Sequence, residues 1–248
     1  MKYLKAALVG VVQGMTEFLP VSSSGHLTIL SRLGVCPTSL FFNLALHLAT
    51  LAALLVRMRR EVWELMRHPI RDGKYILLSS VPTVVVAFLL KKCFPEVLTG
   101  ALLGFGFLLT AAFLTLSEVL RRDSKGRTLD GKIALMTGVA QGIAVLPGVS
   151  RSGSTIAVLT TCGVEGEKAA RFSFLLSVPI IVGGFLLEGI ESGFSASGAD
   201  AGEIAVAAVA AFLSGLAAVR FMFGRIKKGL KPFIPYTFLI GVLCYFLP

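Results

Sequence analysis

Charge is scarce in this sequence. Only 15% of the 248 residues are Asp, Glu, Lys or Arg, against about one quarter in soluble domains, so an ordinary soluble globular fold is a poor match. Runs of ten residues alternating between apolar and polar are missing as well, which argues against an outer-membrane β-barrel. Cysteine is sparse: Cys36, Cys93, Cys162 and Cys244 stand far apart and form no CxxC pair. Neither a zinc site nor a redox motif is signalled, and the four are expected to be small buried apolar residues. A cleavable leader is not evident either. Lys2 and Lys5 precede a short apolar run, but no small-residue cleavage site follows, so the segment is read as mature sequence.

What is abundant is apolar: 55% of residues are hydrophobic and the mean hydropathy is +0.82. Several stretches reach the roughly 20 residues that cross a bilayer as helix. The expectation is an all-α polytopic membrane protein, with residues 1–248 forming a single integral membrane domain. The net charge of +10 could suggest nucleic acid. Its basic clusters instead lie between apolar segments, as cytoplasmic loops do, and no nucleic-acid partner is expected. Six membrane helices are expected near 40–57, 75–90, 97–120, 168–190, 203–223 and 232–247.

The chain also repeats itself. "GVVQGMTEFLPVSSSG" begins at Gly10 and "GVAQGIAVLPGVSRSG" begins at Gly138; they agree at 8 of 16 positions at an offset of 128. Two halves from one duplicated unit follow, repeat one at about 1–120 and repeat two at about 133–248. Segments 4–34 and 133–162 each run apolar, break at a Gly/Ser/Pro cluster, and resume apolar. Such breaks at membrane depth are tolerated only inside protein or beside a wet cavity, so both are read as re-entrant helix–loop–helix hairpins. Ordinary spans with polar kinks are the alternative. The basic loops 57–74, 121–132 and 224–231 are assigned to the cytoplasm and the acidic loop 191–203 to the outside. Three spans then separate the two repeats, which inverts the second relative to the first. Both termini lie outside, in mild conflict with Lys2, Lys5, Lys91 and Lys92. Many secondary transporters share this plan, with a site at the repeat interface.

The polar residues concentrate at the two breaks. Ionisable groups within a membrane are costly and usually functional. Glu17 sits between Val9–Val12 and Phe18-Leu19, with Gln13 one helical turn before it. A carboxylate and an amide oxygen suit a hard cation such as Mg²⁺ or Ca²⁺. Ser22, Ser23, Ser24 and Gly25 form a small-residue turn whose N–H groups could cradle an anion, and His26 suits acid–base work. The second copy has Val145 where Glu17 aligns and Arg151 where Ser23 aligns. It offers a guanidinium with Ser150, Ser152, Gly153 and Thr155 at a helix start, a phosphate-binding set. His47 and Asn43 either line the same cavity or make interhelical contacts. Arg171, Glu118 and Glu188 near span ends are expected to snorkel.

"QGMTEFLPVSSSGH" resembles the (E/Q)xxxE segment, and "PGVSRSGST" the PGxSRSxxT segment, of the bacterial undecaprenyl-diphosphate phosphatases, also called bacitracin-resistance proteins. The resemblance covers essentially the whole chain in length and spacing. It implies hydrolysis of undecaprenyl diphosphate to undecaprenyl phosphate, the lipid carrier for peptidoglycan precursors. It also implies a divalent cation, a bacterial plasma-membrane location and a site open to the external face. It places Glu17, Ser23, His26 and Arg151 in the catalytic set; the residues themselves put Ser22, Ser24, Ser150, Ser152, Gly153 and Thr155 around the phosphate. Glu17 and Gln13 would be the metal ligands, although Gln at position 13 leaves a single carboxylate there. Ser23, or a water it orients, would attack phosphorus, with His26 as base or acid. A secondary transporter or polyprenyl-phosphate flippase is the competing function. The oligomeric state is undecided, a homodimer being one option.

Overall fold

A computed structural model describes residues 1–35, 40–120, 126–192 and 200–247, without the side chains of 40, 71, 72, 188, 191 and 192. Every regular element described is helical. In chain order they are α1 (Lys2–Phe18), α2 (Ser23–Arg32), α3 (Leu40–Arg57), α4 (Arg59–Arg67), α5 (Pro69–Cys93), a 3-10 turn (Pro95–Thr99), α6 (Leu103–Leu120), α7 (Gly131–Ile143), α8 (Arg151–Thr161), α9 (Gly166–Ser192), α10 (Ala201–Ile226) and α11 (Phe233–Leu243).

Among the described residues, four helices are long and apolar enough to cross a membrane: Gly73–Cys93, Leu103–Leu120, Gly166–Leu187 and Ala201–Ile226. A fifth is available if α3 is joined to α4, from which it is bent by 82°. α11, expected as a sixth span over 232–247, has only 11 helical residues, about 16 Å of rise.

Three local features depart from the sequence expectation. The charge of residues 59–67 predicts a loop, yet Arg, Glu, Leu and Met are good helix formers. They build an amphipathic helix with Trp63 and Met66 exposed, suited to lying in a membrane interface. The span expected from 97 starts instead at Leu103, after the 3-10 turn and Gly100, whose φ is 91°. Cys93, expected to be buried, is exposed at the end of α5; Cys162 is half-buried and Cys244 buried. Cys36 lies outside the described residues.

Both expected breaks are present, between α1 and α2 and between α7 and α8. In each half the motif glycines serve close helix packing. A Cβ on Gly10 or Gly14 would run into the backbone of Ala207 and Ala211 on α10. One on Gly138 would run into Ser79, and one on Gly142 into Val86, on α5. Small residues four apart let helices approach this way. α1 thus packs on α10, α7 on α5, α3 on α10 and α9 on α5.

Polar pairs gather at two opposite ends of the bundle. One end joins Lys2 to Asp200, Lys5 Nζ to the Gly34 carbonyl, and Arg32 to the Gly100 carbonyl. The other joins Arg171 to Glu61 and Glu167, Lys227 to Glu167, and the Arg127 N–H to the Gly163 carbonyl. There Asp130 caps α7, and the Ile133 N–H, with Arg127 beside it, holds its carboxyl below the usual range.

Candidate active site

Both broken helices restart in the same way. Ser22 accepts from the Gly25 N–H at 3.3 Å, and Ser150 accepts from the Gly153 N–H at 3.0 Å. The hydroxyls two residues apart also meet, Ser22 with Ser24 at 3.4 Å and Ser150 with Ser152 at 3.3 Å. These are aligned positions of the repeat, so the shared sequence builds a shared cap. The breaks interlock: Ser152 Oγ donates to the Leu19 carbonyl at 3.1 Å. Thr110 of α6 fixes the second break, donating to the Gly148 carbonyl and accepting from the Ser150 N–H, both at 2.8 Å.

This scaffold brings Ser23 and Arg151, the first residues of α2 and α8, against Glu17 at the end of α1. Glu17 is 5% exposed. Its Oε1 faces the Arg151 guanidinium. Its Oε2 accepts from Ser23 Oγ at 2.6 Å and from Gln13 Nε2 at 3.0 Å. His47 of α3 directs Nε2 to the same oxygen at 3.9 Å. Its Nδ1 lies 2.9 Å from the Asn43 carbonyl, which only accepts, so Nδ1 carries the proton and Nε2 is left as the working nitrogen. The cavity has a volume of about 260 Å³ and is lined by Glu17, Ser22, Ser23, Ser24, His47, Ser150 and Arg151, with Ile180, Ile181 and Phe185 as its apolar wall. It suits a headgroup rather than a whole lipid, drug-sized pockets being larger.

Other expected residues are placed elsewhere. His26 does not reach Ser23. Its Nδ1 lies 2.6 Å from the Ser22 carbonyl, so it bears the proton there, and its Nε2 lies 2.8 Å from the Tyr236 hydroxyl. Thr155 is buried and donates to the Arg151 carbonyl at 2.8 Å, with Ser173 Oγ 2.6 Å away. Ser152, Gly153 and Thr155 support the turn and are not on the cavity wall. His47 lines the cavity, one of the two roles the sequence allows it; Tyr236 carries no signal in the sequence.

The donor set for a cation is small. No three His, Cys, Asp or Glu among the described residues could hold a metal together. Gln13 Oε1 is buried without a hydrogen-bond partner, and beside it stands one carboxylate. That set fits a hard cation only if a ligand supplies the remaining oxygens.

A sequence model of the family described as "Bacitracin resistance protein BacA" matches residues 6–243. This chain belongs to that family. Proteins named undecaprenyl-diphosphatase are similar over nearly their whole length. That of Carboxydothermus hydrogenoformans is 38% identical over 98% of this chain and 96% of its own. That of Christiangramia forsetii is 36% identical, covering 98% and 97%. That of Syntrophotalea carbinolica is 38% identical, covering 97% of each. The BacA membership extends to both breaks and to all of the cavity.

Proposed function

We propose that the Glu17–Ser23–Arg151 cluster is the place where this chain cleaves undecaprenyl diphosphate to undecaprenyl phosphate and inorganic phosphate. The activity follows from the family and its full-length relatives: the chain is an undecaprenyl-diphosphatase and a multi-pass membrane phosphatase. The observation that carries the assignment to these residues is the 2.6 Å bond from Ser23 Oγ to Glu17 Oε2 beside the Arg151 guanidinium.

In this reading Ser23 Oγ attacks the terminal phosphorus and its proton passes to Glu17. The new O–P bond forms as the anhydride bond to undecaprenyl phosphate breaks. Water then hydrolyses the phosphoserine and frees inorganic phosphate. Arg151 presents five N–H donors, of which the pair with Glu17 leaves several for phosphate oxygens. With the N-termini of α2 and α8 it stabilises the charge that spreads over the transferring group. His47 Nε2 stands ready to share the proton on Glu17. His26 acts by holding the Ser22 carbonyl, not by touching Ser23. A divalent cation, Mg²⁺ or Ca²⁺, would enter with the diphosphate and be held by Glu17 and Gln13 Oε1. When bound, it neutralises charge on the diphosphate oxygens.

The same proposal takes the chain as an inverted repeat of six spans and two re-entrant hairpins in the bacterial plasma membrane, with the cavity open outward. The exchanged packing, α1 on α10 and α7 on α5, supports the repeat. Ile180, Ile181 and Phe185 lie in the later half of α9, away from the end that holds Glu167 and Arg171, and this supports the outward opening. A homodimer is left open by this reading.

Phosphate release from undecaprenyl diphosphate by purified protein tests the assignment. Glu17→Gln and Ser23→Ala should each lower turnover by about 10²-fold or more with folded protein retained. Turnover within a few-fold of wild type in both variants would move the chemistry elsewhere.

A further inference from the structure

We propose that a groove beside α1, distinct from the active cavity, binds an anionic phospholipid, its phosphate held by Arg220, Arg225 and Lys228. The groove, about 1010 Å³, runs between α1, α10 and the start of α11 and shares only Thr16 with the active cavity. Arg220 and Gly224 lie one turn apart on one face of α10, with Arg225 next to Gly224 and Lys228 just past the helix end, and all four line the groove. Arg220 lies inside the apolar span Ala201–Ile226, where a charge without a counter-ion is costly.

The neighbouring cations are paired: Arg171 binds Glu61 and Glu167, and Lys227 binds Glu167. Among the described residues no carboxylate pairs with Arg220, Arg225 or Lys228. Positive charge therefore lines the groove with no ion-paired carboxylate among the described residues. The remaining wall is apolar, including Met15, Leu19, Phe221 and Phe233. A Cβ at Gly224 would meet nothing within 4 Å, so the groove is open between the cations. One molecule that answers both features is a lipid with a phosphate head and acyl chains. The triad lies at the basic end of the bundle, where the loop 224–231 adds Lys227 and Lys231, and juxtamembrane basic clusters attract anionic lipids.

The test is lipid retention by the full chain. Protein is released from nanodiscs of mixed phosphatidylcholine and phosphatidylglycerol, and bound lipid is read by native mass spectrometry. Wild type should keep a phosphatidylglycerol adduct in preference to phosphatidylcholine. The triple variant Arg220→Gln/Arg225→Gln/Lys228→Gln should lose that preference by on the order of a hundredfold. Gly224→Trp leaves every charge in place and fills the groove, and it too should lose the adduct. Gel filtration confirms that each variant is folded. Equal retention by wild type and Gly224→Trp, or no preference in wild type, overturns the groove. Displacement of the adduct by inorganic phosphate reduces it to an anion site, and displacement by stoichiometric undecaprenyl phosphate makes it a product site. Either result overturns the phospholipid assignment.

Discussion

Ser22 has φ 70° and ψ 100°, a conformation that costs a non-glycine residue about 1–3 kcal/mol. Three bonds hold it there. Its hydroxyl accepts from the Gly25 N–H, its carbonyl accepts from the His26 Nδ1–H, and Tyr236 fixes the other side of that imidazole. The result is that Ser23 begins α2 pointing at Glu17. Tyr236→Phe keeps the ring and removes one hydroxyl. It should lower kcat several-fold with KM little changed, and His26→Ala should cost more, because a misaimed nucleophile slows chemistry more than binding. Wild-type kcat in both variants would mean that the strained turn holds itself. At Arg151 a point charge does not replace a planar fork, so Arg151→Lys should lose nearly as much turnover as Arg151→Ala in the phosphate-release assay. Glu17, Ser23 and Arg151 were legible in the sequence because each sits in a polar motif within apolar surroundings. For His47 the sequence admits both a cavity and an interhelical role, and for Tyr236 it carries no signal, because they reach the site from α3 and α11 through tertiary packing and belong to no local pattern. His26 was legible as a residue, but its partner was not.

Helix packing turns on where a methyl group fits. At Gly14 an added Cβ would strike Ser214 and the Ala211 carbonyl, whereas at Gly183 it would meet nothing within 4 Å. The same substitution should therefore have opposite signs. Gly183→Ala should leave thermal stability in detergent unchanged or raise it by about 0.5–1 kcal/mol, through helix propensity. Gly14→Ala should lower it by about 1–3 kcal/mol, through overpacking, and Gly142→Ala should behave like Gly14→Ala. Equal melting temperatures for Gly14→Ala and Gly183→Ala would show that α1 and α10 can part without cost. The breaks between α1 and α2 and between α7 and α8 were readable because Gly, Ser and Pro interrupt long apolar runs. Helix α4 was not, because its Arg residues signal a loop between two spans and its nine residues are too few for a strong 3.6-residue periodicity. The true start of α6 was hidden for a similar reason: the apolar run continues through Val97 and Leu98, but the chain turns at Gly100.

At the scale of the whole molecule, the ends of the bundle constrain its placement in a bilayer. Lys2 with Asp200, and Arg32 with Gly100, put the N-terminus, the start of α10 and the 3-10 turn at one end. Glu61 with Arg171, and Arg127 with Gly163, put α4, the start of α9 and the approach to α7 at the other. The second end carries Arg57, Arg59, Arg60, Arg225 and Lys228, and the proposed orientation takes it as the cytoplasmic end on the positive-inside rule. Single cysteines test this in a background where Cys36, Cys93, Cys162 and Cys244 are replaced. His68, Thr128, Glu96 and Ala201 are all exposed in the fold, so reactivity reports the side of the membrane and not burial. An impermeant thiol reagent applied to intact cells should label Glu96→Cys and Ala201→Cys. It should leave His68→Cys and Thr128→Cys unlabelled until the membrane is permeabilised. Labelling of Thr128→Cys from outside, with Ala201→Cys also labelled, would put the approach to α7 and the start of α10 on one face. The inverted repeat would then fail, and with it the outward-opening cavity.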